Sequence, residues 1–591
     1  MSLRNRTTLN SIEATISLAR VQPSSSRWAI AFAFSLAAML LMAVIMPIDH
    51  DEGQYVAAAA LMAKGARPYL DFIYLQTPLQ PEDTWPVVAM APGYALLALR
   101  FVNAVLAAGI LAIVYNLQRQ LGVESKRAGL ATMLLGACYA FQFSAGVARN
   151  DLLPAFAEVL ALAAGIAAIR SPRHRLLMWA LAGLGLGAAV SAKISYAIPL
   201  AAAGLFLIAS VIKRTATLNS LIAFGSCALM GLAPCISAVA TPQVRAVLLD
   251  TLVYHMTAPM AAYAAIGEAW RTSALMKLPD AVVALVVGPA LEVLIAVGVY
   301  SYLDWKSPST RSHEQRFVEV MAVAGFLAAI APTPIQRQYF LPLLPPLFII
   351  WGLGSQRWND HLRPDLRKAL SVAVTFGAIV GAGRYSYLLA DSAIRLSRGE
   401  LPPPMQLTAE AHWIGERLRA AGAVGDVVSP SPQVVVDSGY PIDPRFASGA
   451  FFFRTGDLTS DADQVLINGL SPRTLKAGLN EAPPAAIVIG YEGPEGPAKF
   501  DVDGFFRAYA IAAGYKREVS PFGQAELYTR PTDGQVTTGA GPYSQPSWSQ
   551  RAANPASHPL LTTNSQESGR EDWLKRAMLS GFAMLSPTWT R

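Results

Sequence analysis

Asp49, His50, Asp51 and Glu52 place three carboxylates and an imidazole within four consecutive residues, directly after an apolar run that ends at Pro47. A carboxylate there can take a proton from a hydroxyl or share a divalent cation with a distant acid. It can also do no more than cap free N–H groups and favour a helix macrodipole. A second acidic stretch follows in "GVARNDLLPAF", where Arg149, Asn150 and Asp151 precede another apolar run. Asp151 reads either as a second acid or as an N-cap paired with Arg149. Two cations can hold an anion. Lys193 sits in a break between apolar runs, where an interfacial snorkelling role fits equally well. Arg337 is the one cation at an otherwise apolar boundary, and Gln336, Gln338 and Tyr339 beside it offer hydrogen bonds. His50, next to an acid, is read as a hydrogen-bonding neighbour rather than a metal ligand.

The elements that must position these groups are membrane helices. With 53% hydrophobic and 15% charged residues, the chain of 591 residues does not have the composition of a soluble protein. Its formal charge of +7 comes from Lys and Arg in short clusters between apolar runs, which signal topology and imply no nucleic-acid partner. Cys138, Cys227 and Cys235 lie inside apolar segments without CxxC spacing and read as small core residues. The first apolar run, residues 28–46, has no A-x-A cleavage pattern after it and is read as a retained span. Ten further runs follow, at residues 99–117, 128–143, 152–169, 176–191, 196–212, 221–240, 281–303, 318–331, 340–354 and 369–389. Together they predict about eleven transmembrane helices, several of them short. Alternate loops carry the Lys/Arg clusters and are assigned to the cytoplasm along with residues 1–27. The loop after Pro47, the Arg149 loop, residues 241–280 and everything beyond Ala390 then lie outside.

Asp51 and Glu52 open a predicted helix to Lys64, closed by Gly65, with Asp51 and Tyr55 on one face. "RPYLDF" adds Arg67, Tyr69 and Asp71. Residues 241–280 are too polar to span twice and are expected to form surface helices carrying His255 near the cavity. After residue 395 the composition becomes that of a soluble α/β domain, residues 405–530. Thr408 is its expected N-cap, "DVVSPS", "AAIVIGY" and "AELYTR" its strands, and "VDGFFRAYAIAAGY" a helix. Its "VIGYEGPEGP" lacks the strand-to-helix setting of a phosphate cradle. Residues 531–591 read as a disordered tail in which "DWLKRAMLSGFAML" is either an amphipathic helix or part of the tail.

The D-E-x-x-Y motif with "KGARPYLDF" and "YLQTPLQP", the "RND" before a helix, the Lys before Pro in "SAKISYAIPL" and the Arg-Gln-Tyr before "LPLLPPL" occur in an order and sidedness that resemble the GT-C glycosyltransferases. The resemblance is to members that use polyprenyl-phosphate sugars, the group of protein O-mannosyltransferases and lipid A aminoarabinose transferases (family 39). It covers about residues 28–389. The terminal position of the soluble domain favours the bacterial branch. The resemblance implies a multi-pass α-helical GT-C fold with an extracytoplasmic α/β domain, in a bacterial inner membrane. It also implies transfer of a sugar from a polyprenyl-phosphate donor to an extracytoplasmic hydroxyl acceptor. Asp51 takes the place of the general base, with Glu52 orienting acceptor or sugar. Arg337, Lys193, Tyr339 and Gln338 hold the donor phosphate, and Tyr55, Arg67, Tyr69, Arg149, Asp151 and His255 contact substrate. Some members use a divalent metal, for which Asp51 and Asp151 are the available ligands; the expectation is that none is needed. A transporter or flippase, or a non-catalytic subunit of an envelope glycan assembly complex, is the alternative. A transporter would place charges near the bilayer midplane, where only Glu158 and Glu292 stand out.

Overall fold

The computed structural model describes residues 25–531 except 242, 266, 307–310 and 494–500. Residues 1–24 and 532–591, with the expected tail and its amphipathic segment, lie outside the described residues. Five helices are long and apolar enough to cross a membrane: Ala95–Gln120, Leu152–Arg170, Arg175–Ala192, Ile194–Ile212 and Pro364–Ser397. Counting each of three bent helix pairs as one span raises the number to eight. Ser25–Ile45, His313–Ile330 and Leu344–Trp358 occupy three more of the expected positions.

The bends have local causes. Pro234 begins the second half of the Leu218–Gly231/Ala233–Val239 pair. Gly288, at φ 111°, and Pro289 turn the chain by 108° between Ala274–Val286 and Ala290–Lys306, so the single span expected over 281–303 is broken. Gly288 packs against Ala137 and Cys138, where Ser125–Ala137 meets Tyr139–Gly146 at 65°, and Tyr139 N–H donates to the Val287 carbonyl at 3.0 Å. Two broken helices therefore support each other. Elsewhere Gly183 and Gly187 let Arg175–Ala192 approach Leu218–Gly231 so closely that a Cβ on either would collide with the Phe224 or Ala228 carbonyl.

The loops sort to the two ends of the bundle. At the Gln120 end, Arg170 donates to the Gln120 carbonyl (2.6 Å) and pairs with Glu314 (3.0 Å), and Arg127 donates to the Ser355 carbonyl (2.8 Å). All of these belong to the Lys/Arg-bearing set. At the other end of the same helix, Asp437 of the α/β domain accepts the Ala95 N–H at 2.6 Å, and His412 contacts the Gly93 carbonyl at 2.9 Å.

The C-terminal part holds a four-stranded sheet, β1 (Val427–Val428), β2 (Ala486–Ile489), β3 (Lys516–Val519) and β4 (Glu526–Thr529), in the order β1-β2-β4-β3. β1 pairs parallel to β2, and β4 pairs antiparallel to both β2 and β3. β3 departs from the sequence expectation, since "KREV" has no apolar alternation to mark a strand. Thr408 is not the N-cap: the first helix begins at Pro403, and the Thr408 hydroxyl donates back to the Pro404 carbonyl at 3.1 Å. A single apolar core joins this domain to the first predicted outer loop, combining Tyr55, Val56 and Phe72 with Leu407, Ala411, Val434 and Ile442. Residues 241–280 form short helices, among them Tyr254–Ala265, and Tyr254 packs on Phe451 and Phe452 of the same domain.

Candidate active site

The helix Glu52–Ala63 begins where expected, with Asp51 at its N-cap position and Gly65 at φ 88° after its end. Asp51 makes no side-chain capping bond. Capping is instead superseded by an ion pair, since the Arg149 guanidinium donates to Asp51 Oδ2. The same Nη1 donates to Asp49 Oδ1 at 2.7 Å, and Arg149 Nε donates to Asp151 Oδ2 at 3.1 Å. One guanidinium thus binds three carboxylates from two loops. Asp151 likewise stands at a helix N-cap position without capping it, and its Oδ1 accepts from Lys193. Lys193 occupies extended backbone between two helices, and its ammonium lies 4.7 Å from the centre of the Tyr339 ring.

Burial and charge divide the acids. Burial raises the Asp51 pKa above its ordinary value; Arg149 opposes this, and the neighbouring Asp49 charge adds to it. Burial acts the same way on Asp151, but Lys193 and Arg149 outweigh it and hold that carboxyl below its usual range. Asp51 is therefore the more basic oxygen donor. Its side chain is 23% exposed against 1% for Asp151, and its Oδ1 has no hydrogen-bond partner among the described residues. Burial also lowers the Lys193 pKa, with Asp151 restoring part of it.

Glu52, expected to orient acceptor or sugar, stands in the structure as a buried brace. It is fully buried, and its carboxylate takes bidentate bonds from Arg100 (2.7 and 2.5 Å) and the N–H groups of Asp49 (2.8 Å) and Ala148 (2.7 Å). No acceptor capacity faces open space. Arg100 also donates to the carbonyls of Ala43, Met46 and Pro47, closing the end of the first helix. Asn103 fixes the second loop through the Val147 (2.6 Å) and Arg149 (2.9 Å) carbonyls. Neither Arg100 nor Asn103 was selected from sequence, although a charged side chain inside an apolar run is a usable signal.

Arg337 has no carboxylate within ion-pairing distance among the described residues; its guanidinium lies over Tyr139 (4.9 Å) and Phe143 (5.4 Å). Arg149 faces the same Phe143 ring at 5.9 Å. Arg384, missed in the sequence, shares the Tyr139 ring at 5.2 Å. Tyr339 is half-buried, and its surroundings push its hydroxyl up to about 12. Gln338 is buried in the same short helix, Arg337–Phe340.

The remaining candidates divide. Tyr55 donates to Asn150 Oδ1 at 2.9 Å, and Asn150 donates to the Ala192 carbonyl at 3.0 Å and Gln76 at 3.3 Å. Tyr55 thus fixes the second loop from below. Tyr69, at φ 65°, is buried and donates to the Gln76 carbonyl at 2.5 Å. His255 contacts the Leu75 carbonyl and Gln76 (3.4 Å), and burial lowers its pKa. Both support the strand of chain around Gln76 rather than the carboxylates. Arg67, expected to contact substrate, is solvent-exposed and pairs with Asp71 at 3.3 Å, with no bond to the Asp49, Asp51 or Asp151 carboxylates among the described residues. Asp51 and Asp151 do not fit a divalent metal, because Arg149 already lies between them. Among the described residues no three His, Cys, Asp or Glu side chains are grouped to hold one.

The backbone that carries this cluster is similar to ArnT from Cupriavidus metallidurans bound to undecaprenyl phosphate, with a TM-score of 0.50 at 14% identity, over 86% of this chain and 99% of that one. The chain has the GT-C fold. A further similar structure is the archaeal oligosaccharyltransferase AglB from Archaeoglobus fulgidus in complex with an inhibitory peptide and a dolichol-phosphate (TM-score 0.46, 12% identity, 86% and 75% coverage). No family model and no curated protein matches the sequence. At 14% identity the likeness to ArnT shows the fold alone and leaves the chemistry of the chain to its residues.

Proposed function

We propose that this protein is a membrane glycosyltransferase that moves one sugar from a polyprenyl-phosphate carrier to a hydroxyl on an extracytoplasmic acceptor. The observation that carries the proposal is a basic, partly open carboxylate, Asp51, bound by Arg149, whose guanidinium faces the same Phe143 ring as Arg337, a cation with no carboxylate partner among the described residues. The ArnT structure similar to this chain was solved with undecaprenyl phosphate, which supports a polyprenyl carrier.

In the proposed reaction Asp51 takes the proton of the acceptor hydroxyl as its oxygen bonds to the anomeric carbon. The bond from that carbon to the phosphate oxygen breaks with its electron pair on oxygen, which inverts the centre and releases polyprenyl phosphate. Arg337 and Lys193 stabilise the charge that grows on the phosphate, so no acid is needed on that side. Arg149 keeps Asp51 aimed, and Glu52 with Arg100 holds the loop. The segregation of Lys/Arg-bearing loops to the far end supports about eleven spans with the site and the α/β domain outside, in a bacterial inner membrane.

The test uses the full chain in nanodiscs with polyprenyl-phosphate sugars extracted from cells that lack it. Asp51→Asn is expected to reduce turnover about 10²- to 10⁴-fold while polyprenyl-phosphate binding persists. Wild-type turnover by Asp51→Asn would remove the base from this scheme.

A further inference from the structure

A cleft of about 390 Å³ lies between the first outer loop and the α/β domain, with Ile48 and His50 on one side and Gln406, Gln433, Tyr491 and Gln524 on the other. Its size falls within the roughly 300–1,000 Å³ of small-molecule pockets. His50 is the residue before Asp51, so this wall of the cleft is the same backbone that carries the proposed base. The two sides are held together by His50 Nδ1 and Glu492 Oε1 at 3.1 Å, and Glu492 also accepts from Arg454 (2.6 Å) and Ser431 (3.3 Å).

The polar groups left over in the cleft are neutral. Gln433 lines the cleft but is 2% exposed, and its Oε1 is closed off against Gly53 in the first turn of Glu52–Ala63, without a hydrogen-bond partner among the described residues. The Gln524 side chain has no partner among the described residues, and Gln406 makes only a 3.5 Å contact with the Phe522 carbonyl. The charges are compensated: Arg395 pairs with Asp391 at 3.0 Å, and Glu492 is shared by His50 and Arg454. With Arg395 and Glu492 each paired, the cleft offers no uncompensated cation to an anion among the described residues. Amides that both donate and accept match hydroxyls that do the same, while Ile48, Leu407 and Tyr491 offer apolar surface to a sugar ring.

We infer that this cleft is the acceptor subsite and that it binds an uncharged carbohydrate through its hydroxyls. The inference rests on the glycosyltransferase proposal for its functional meaning, but binding can be measured without donor or turnover. The probe is a glycan microarray incubated with the full chain in nanodiscs, with polyprenyl-phosphate binding and thermal unfolding measured in parallel. Wild-type protein and Asp51→Asn are expected to capture the same neutral glycans. Gln406→Ala should weaken capture about tenfold, the loss of one hydrogen bond. Gln524→Trp, an exposed position that fills the cleft without entering a core, should abolish it while carrier binding and unfolding stay unchanged. Absence of glycan capture by wild-type protein, capture of anionic glycans alone, or undiminished capture by a folded Gln524→Trp overturns the inference. Glycan capture by a protein that binds no polyprenyl phosphate leaves the cleft standing and overturns the donor proposal instead.

Discussion

Replacing Arg100 with Met tests whether the acidic loop is held by the buried pair beneath it. Both side chains of the Glu52–Arg100 pair are fully buried. Removal of Arg100 strips two charge-assisted bonds from Glu52 and leaves the carbonyls of Ala43, Met46 and Pro47 without their donor. Breaking a buried pair by deleting one partner costs about 3–5 kcal/mol, and this site lies at the upper end because three backbone acceptors are orphaned with it. Glu52→Gln keeps the shape but presents an NH₂ to a guanidinium or a backbone N–H, for a cost of about 3 kcal/mol. Because the two groups act on each other, the double variant should be less destabilised than the sum, by about 1–3 kcal/mol. Unfolding of the four proteins in one detergent gives the cycle. Strict additivity, or an Arg100→Met protein as stable as wild type, would refute the brace. Since Ala148 N–H is bound by Glu52, loss of the brace should also separate Asp51 from Arg149 and lower turnover in the protein that remains folded.

Four further outcomes follow from the geometry. Arg337→Gln should raise the KM for donor about tenfold to a hundredfold, the range of a charge-assisted bond to phosphate, with little change in thermal unfolding. The acidic limb of the pH–rate profile should lie above the ordinary carboxylate range, because Asp51 must be ionised to accept a proton and its pKa is raised; Asp49→Asn removes a like charge and should move that limb to lower pH. Asp437, pushed up to about 7 by burial, disfavours ionisation in the folded protein. Its contribution to stability is thus complete below its unfolded value of 3.8 and fades as pH rises to about 7, so Asp437→Asn should flatten the decline in unfolding temperature across that interval. Gly187→Leu should prevent close contact between Arg175–Ala192 and Leu218–Gly231 and reduce the yield of folded protein, measured by size-exclusion profile.

The sequence made the membrane helices legible because a bilayer demands about twenty apolar residues regardless of partners. It also made legible the sites where the chain leaves that environment, at Asp51, Arg149, Lys193 and Arg337. Pairing was not legible. Whether Asp151 caps a helix or binds a cation depends on Lys193, 42 positions away, and no local pattern carries that distance. Glu52 and Asp51 are neighbours of the same type, yet one faces Arg100 in the core and the other Arg149 near the surface. Their difference is the rotation of one helical residue, set by packing. Some misses did have a signal: the Gly288-Pro289 pair marks a break, Gly183 and Gly187 have small-xxx-small spacing, and Arg100 and Arg384 are cations within apolar runs.

His50 and Glu492 are 442 positions apart, and Asp437 reaches the start of a helix 342 positions earlier. Ribosomes deliver chains from the amino end, and early segments fold first. The helices can therefore insert and settle long before the strands that roof them exist. Until the last third of the protein is made, the acidic loop has no ceiling and the cleft no far wall. A chain cut off midway therefore lacks the Glu492 and Asp437 contacts that join the acidic loop and the Ala95 helix to the C-terminal part.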